Sequence, residues 1–171
     1  MSDPASRPPL LELRGLSVRK PGGAPLFEGL SLELRAGEVI ALLGSSGAGK
    51  STLLAALHDP DGLRARGFTI THDALERRAP IGVVPQRGAL FDHLSVAGNL
   101  ELALRNADRP VAPRERRAQI AEWLRHLDLP PEWGEPGHAV GHVSGGEAQR
   151  LAVARTLAGG RRVLFLDEPS V

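Results

Sequence analysis

Three observations predict an α/β fold for this chain of 171 residues. Gly44-Ser45-Ser46-Gly47-Ala48-Gly49-Lys50-Ser51 is a glycine-rich phosphate loop lying between a short apolar run, Val39-Ile40-Ala41-Leu42-Leu43, and leucines at helical spacing. A second apolar run, Val163-Leu164-Phe165-Leu166, ends in two acids, Asp167-Glu168, as a buried strand does when it delivers carboxylates to the ligand edge of a sheet. Between them, strand and helix patterns alternate in the order of α/β proteins.

The elements follow in sequence. Leu11, Leu13, Leu16 and Val18 alternate with polar residues and predict a half-buried strand with one slip at Gly15. Pro21-Gly22-Gly23 breaks it, and Leu30, Leu32 and Leu34 predict a second strand, the two forming an antiparallel N-terminal sheet. The run at 39–43 is continuously apolar, which predicts a strand covered on both faces. After the glycine loop, Leu53, Leu54 and Leu57 predict a helix packed on the sheet. Residues 67–71 and 81–84 read as short strands. From 88 to 143 no strand pattern occurs. Ser95 is placed to cap a helix carrying Leu100, Leu102 and Leu104, and Pro113 to open another with Ile120, Leu124 and Leu127 on one face. Ser144 with Glu147 three residues on is a capping box for a helix containing Leu151 and Val153.

Composition excludes several classes. Hydrophobic residues make up 42% of the chain, enough for a core, and the formal net charge is +1, without the one-sided basic field of a nucleic-acid binder. Arg114, Arg116 and Arg117 form the densest basic group and are expected on a solvated helix face. The absence of cysteine excludes disulfides and thiolate metal sites. No apolar run approaches the ~20 residues of a membrane helix, so any membrane association is expected to come through a partner. Residues 1–9, polar and proline-rich, are expected to be a disordered leader.

The chemistry lies in three motifs. In the phosphate loop, glycines let successive amides turn toward phosphate oxygens, the helix start adds positive potential, and Lys50 supplies a compact charge for the outer phosphates. The Ser51 hydroxyl is suited to Mg²⁺. Asp167 is expected to hold the same Mg²⁺ through water, with Glu168 taking the proton of an attacking water. In Ser144-Gly145-Gly146-Glu147 a cap alone requires no glycine pair, each of which weakens a helix by ~1 kcal/mol relative to alanine. The glycines therefore point to a phosphate clamp built on a capped helix start.

With these motifs in this order the chain resembles the ATP-binding cassette family, the nucleotide-binding subunits of ABC transporters. Val83-Val84-Pro85-Gln86 is similar to the family's glutamine loop, Val143-Ser144-Gly145-Gly146-Glu147 with Gln149-Arg150 to its signature, and Leu164-Phe165-Leu166-Asp167-Glu168-Pro169 to its second phosphate-site motif. The resemblance implies a P-loop NTPase core of the ABC type (10–87 and 144–171) with an antiparallel β subdomain, and an inserted helical subdomain (88–143). It implies an ATPase, with ATP and Mg²⁺ as ligands and a head-to-tail dimer. Gly44 to Lys50, Ser51 and Thr52 of one subunit and Ser144, Gly145, Gly146 and Glu147 of the other would hold one ATP. Gln86, Ser51 and Asp167 would serve the metal, with Gln86 linking the site to a transmembrane permease subunit. The expected location is cytoplasmic, peripheral at the inner face of the cell membrane, with no nucleic-acid partner.

Departures from the family pattern are equally specific. Lys20 stands where the family usually stacks an aromatic on adenine, Glu147 replaces the usual glutamine, and Val143 the usual leucine. The family's next aspartate-containing loop and its histidine would follow Val171, so the resemblance implies a C-terminally truncated domain. His126, His138 and His142 precede the signature and are expected to be surface or loop residues. Two alternatives are a soluble cassette ATPase of DNA repair or translation, and a nucleotide-binding module without turnover. Residues 86–91 resemble cassettes of bacterial lipid-trafficking systems, and similar runs occur in small-ion importers.

Overall fold

β1 (Leu11–Arg19) organises the N-terminal part of the chain, because its alternation buries Leu11, Leu13, Leu16 and Val18 together. The computed structural model describes residues 8–85 and 90–167. Its contacts divide the chain into two units, 1–81 and 82–171.

In the first unit, β2 (Pro25–Leu34) runs antiparallel to β1, pairing Leu11 with Leu34, Leu13 with Leu32 and Leu16 with Leu30. On the opposite edge of β1 lie β3 (Thr69–Thr71) and β4 (Ala74–Arg77), both antiparallel. The slip at Gly15 is a bulge: the register to β2 shifts between Leu13 and Leu16, and Gly15 takes φ 63°. A side chain there would collide with the carboxylate of Asp73, one of the two residues separating β3 from β4. α1 (Lys50–His58) buries Leu53, Ala56 and Leu57, and α2 (Pro60–Ala65) buries Leu63 behind an Asp59 cap.

The strand expected at 39–43 is not formed. Val39 and Leu43 are 94% and 93% exposed, and among the described residues no strand pairs with this segment. A parallel-type strand has no turn to hold it and exists only through neighbours on its edges. Apolar composition alone therefore does not make the ladder.

In the second unit, β5 (Ile81–Val84) pairs with β6 (Val163–Leu166), burying Val84, Val163 and Phe165. Gly82 leaves room for α5, since a Cβ there would clash with Thr156 and lie 2.9 Å from Arg161 Cβ. α3 (Val96–Arg105) starts at Ser95, whose Oγ accepts from Gly98 N at 3.0 Å, and α4 (Pro113–His126) carries Pro113 in its first turn. α5 (Gly145–Ala158) follows the Ser144 cap. Val96, Leu100 and Leu104 of α3, Ile120 and Leu124 of α4, and Leu151 and Ala154 of α5 form one core. Packing thus joins α5 to the helices before it in one core.

The basic group of α4 is paired. Arg116 reaches Glu101 at 3.4 Å and Arg117 reaches Glu135 at 2.5 Å, while Arg114 contacts Glu115 at 3.3 Å. A further polar group lies inside the core. Asn99, 0% exposed, accepts from Phe91 N at 2.9 Å and donates to the carbonyls of Phe91 and Ser95, both at 3.1 Å. One side chain therefore pairs both backbone polar groups of Phe91.

Replacing Asn99 with alanine is expected to destabilise the protein by about 2–4 kcal/mol, because buried partners lose their bonds as well as packing. Urea unfolding measures this, and a loss below about 0.5 kcal/mol would show that water replaces the asparagine.

Candidate nucleotide site

The phosphate loop turns sharply before α1. Ala48 N donates to Ser45 O at 3.2 Å, and Gly47 and Gly49 take φ 80° and 95°, the left-handed region where glycine is favoured. At Gly49 space is restricted too, since a Cβ would come 2.9 Å from Leu26 Cγ and Cδ2. Gly49 is also the residue preceding α1, so no side chain caps this helix. The first-turn amides have no intrahelical acceptor and lie behind a loop in which Ser45, Ser46, Gly47 and Ala48 are exposed. Ser51 is exposed in that turn and Thr52 is half-buried.

Lys50 Nζ folds back on the loop, donating to Gly44 O at 2.8 Å and Ser45 O at 3.1 Å. Its charge is held at the concave side by neutral carbonyls. A donor-rich loop, an uncapped helix start and an ammonium bound only to carbonyls, among the bonds seen here, fit the chemistry of a polyphosphate. Lys20, in the same unit, is exposed in the turn after β1, its amide donating to Ala24 O at 2.8 Å.

In the second unit, Asp167 follows β6 directly and is half-buried, with its amide donating to Val84 O at 3.1 Å. β5–β6 pairing therefore fixes where this carboxylate leaves the sheet. Glu168 and Gln86 lie outside the described residues. The expected metal ligands are thus divided, with Ser51 in the first unit and Asp167 in the second.

Ser144 to Glu147 form the expected capping box. Ser144 N and Ser144 Oγ each donate to Glu147 Oε2 at 2.7 Å, and Glu147 N donates to Ser144 Oγ at 3.4 Å. These bonds from the hydroxyl and then the amide of Ser144 hold the Glu147 carboxyl below the usual carboxylate range, with smaller contributions from Arg150 and His138. Ser144, Gly145 and Gly146 are exposed. Neither glycine has a positive φ, a Cβ at Gly145 would meet nothing within 4 Å, and one at Gly146 would meet only Arg150 Nη1 at 3.9 Å. The chain's own conformation and packing do not require glycine at either position.

Two features escaped the sequence reading. Asn99 follows Val96 by three residues and precedes Leu100 on the buried stripe of α3, and a polar residue in such a stripe signals a buried hydrogen-bonding role. Phe91 lies beneath the Arg155 guanidinium, 4.6 Å from ring centroid to Cζ, and this pair borders a cleft of about 390 Å³ that also includes Val83, Thr156 and Arg161. Nothing in the sequence links positions so far apart. Of the histidines expected at the surface or in loops, His138 is half-buried and stacks on Trp133 with centroids 4.5 Å apart.

Comparison with known proteins adds independent observations. The family described as ABC transporter matches residues 27–171. The macrolide export ATP-binding/permease protein MacB of Burkholderia lata is 37% identical over 177 residues, covering 96% of this chain and 25% of that protein. The spermidine/putrescine import ATP-binding protein PotA of Pseudomonas aeruginosa is 38% identical over 167 residues, covering 95% of this chain and 44% of that one. Among solved structures, CbiO1 of Clostridium perfringens, part of the ABC transporter complex CbiONQ, superposes with a TM-score of 0.71 at 25% identity, over 95% of this chain and 66% of that chain. The chain therefore spans a quarter to two thirds of the length of these proteins. No described helix is long and apolar enough to cross a membrane. On the match over 27–171 and these identities, the chain belongs to the ABC transporter family.

Proposed function

We propose that the chain is the ATP-binding and ATP-hydrolysing part of an ABC transporter, working as one of two subunits whose pairing is driven by ATP. The observation that carries this reading is the glycine pair at the start of α5, which the chain's own fold does not require. Glycine there serves an approaching ligand rather than the helix. In this reading Gly44 to Thr52 cradle the phosphates of one ATP, and Ser144, Gly145 and Gly146 of a second subunit close on the same phosphates.

Each residue has a role set by its chemistry. Lys50 exchanges its two loop carbonyls for phosphate oxygens, a stronger charge-assisted contact. Ser51 and Asp167, with Gln86, are the ligands for Mg²⁺, which when bound neutralises charge on the outer phosphates. Glu168 accepts the proton of the attacking water, and Gln86 orients that water. A transmembrane permease subunit is the partner that the ATPase energises, which puts the chain on the cytoplasmic side, peripheral to the membrane. Relatives that couple to export and to import are about equally similar, so the reading is independent of transport direction.

Alanine at Gly145 or Gly146 is expected to raise unfolding free energy by up to ~1 kcal/mol, since helix propensity improves without a clash. The same variants should lose ATP-driven pairing and most turnover. Sedimentation with and without ATP, beside thermal unfolding, tests this, and normal turnover in both variants would sink the clamp. Glu168→Gln is expected to keep nucleotide-driven pairing while lowering hydrolysis by about 10²–10⁴-fold, the usual contribution of a general base. Phosphate release under saturating ATP measures it, and unchanged release would remove Glu168 from the role.

A further inference from the structure

We infer that Glu147 is not a phosphate ligand but a positioning residue that orients the Ser144 hydroxyl and competes, as an internal anion, with the phosphate arriving from the second subunit. This rests on the clamp reading above. A serine hydroxyl has one hydrogen, and in this structure it is committed to Glu147 Oε2 at 2.7 Å. The same carboxylate oxygen takes the Ser144 amide at 2.7 Å. The oxygen left on Ser144 faces Glu147 N at 3.4 Å as an acceptor. A phosphate, itself an acceptor, is then left with the amides of Gly145 and Gly146, which have no intrahelical partner. To gain the Ser144 hydroxyl as well, it must take that hydrogen from Glu147.

Charge acts in the same direction. The carboxylate already occupies the positive end of α5, so a second anion there meets both fewer donors and a like charge. Arg150 and His138 are the charged or titratable groups that act on Glu147, and Arg150 lies close enough to Gly146 to offset part of the repulsion. Glutamine at 147 preserves the box, because its carbonyl oxygen accepts the same two bonds, but it removes the charge. Alanine removes both. The identity of residue 147 thus sets how readily the clamp closes without altering the phosphate loop.

The test compares wild type, Glu147→Gln and Glu147→Ala by sedimentation equilibrium in ATP with Mg²⁺ withheld, so that pairing is read without hydrolysis, with thermal unfolding alongside. Glu147→Gln is expected to tighten pairing roughly two- to fivefold, the worth of one charge at a helix start, at an unchanged melting temperature. Glu147→Ala is expected to melt earlier, as a lost cap requires, and yet to pair at least as tightly as wild type. Pairing that weakens in step with melting in Glu147→Ala, or that Glu147→Gln leaves unchanged or weaker, would overturn the inference and leave Glu147 a cap only. If none of the three proteins pairs while fluorescent ATP analogue still binds each, the clamp reading itself fails, and this inference with it.

Discussion

Every helix begins with amides that have no partner within it, and this chain meets that constraint in two opposite ways. At α1 the residue before the helix is Gly49, which has no side chain to offer, and the loop ahead is turned by left-handed glycines. At α5 a serine and a glutamate occupy the helix start with three hydrogen bonds. The first solution puts no side-chain cap on the first turn, and the second caps Glu147 N while leaving the amides of Gly145 and Gly146 without an intrahelical partner.

The glycines separate along the same line. Gly15 and Gly82 are dictated by the interior, because a side chain would strike Asp73 in one case and Thr156 in the other. Gly49 is dictated twice, by its φ of 95° and by Leu26. Gly145 and Gly146 are dictated by nothing inside the chain. A glycine that neither conformation nor packing demands weakens its helix without internal compensation, so what it serves must come from outside. Sequence alone shows where the glycines stand; only the structure tells which of them serve the fold.

Legibility from sequence followed the range of the interactions. β1, β2 and the caps at Ser95 and Ser144 are set by alternation or by bonds across three residues, and all were readable. The slip at Gly15 was visible as a broken alternation, although its cause, Asp73, was not. Residues 39–43 looked like a strand because composition records hydrophobicity but not the presence of a pairing edge. Asn99 and the Phe91–Arg155 contact depend on chain returns that no local pattern encodes. Within the candidate site the glycine-rich turn into α1 was legible as a local pattern, whereas the division of Ser51 and Asp167 between two packing units was not.

Phe91 shows how a buried residue, Asn99, can govern an exposed one. Phe91 is 41% exposed, but its backbone is held on both polar groups by fully buried Asn99, and one face of its ring is covered by Arg155 from α5. The Arg155 guanidinium is partly desolvated there, which pulls its pKa down, a cost that the ring beneath it offsets in part. α3 therefore fixes the backbone of Phe91 and α5 covers its ring, so two helices act on one aromatic residue.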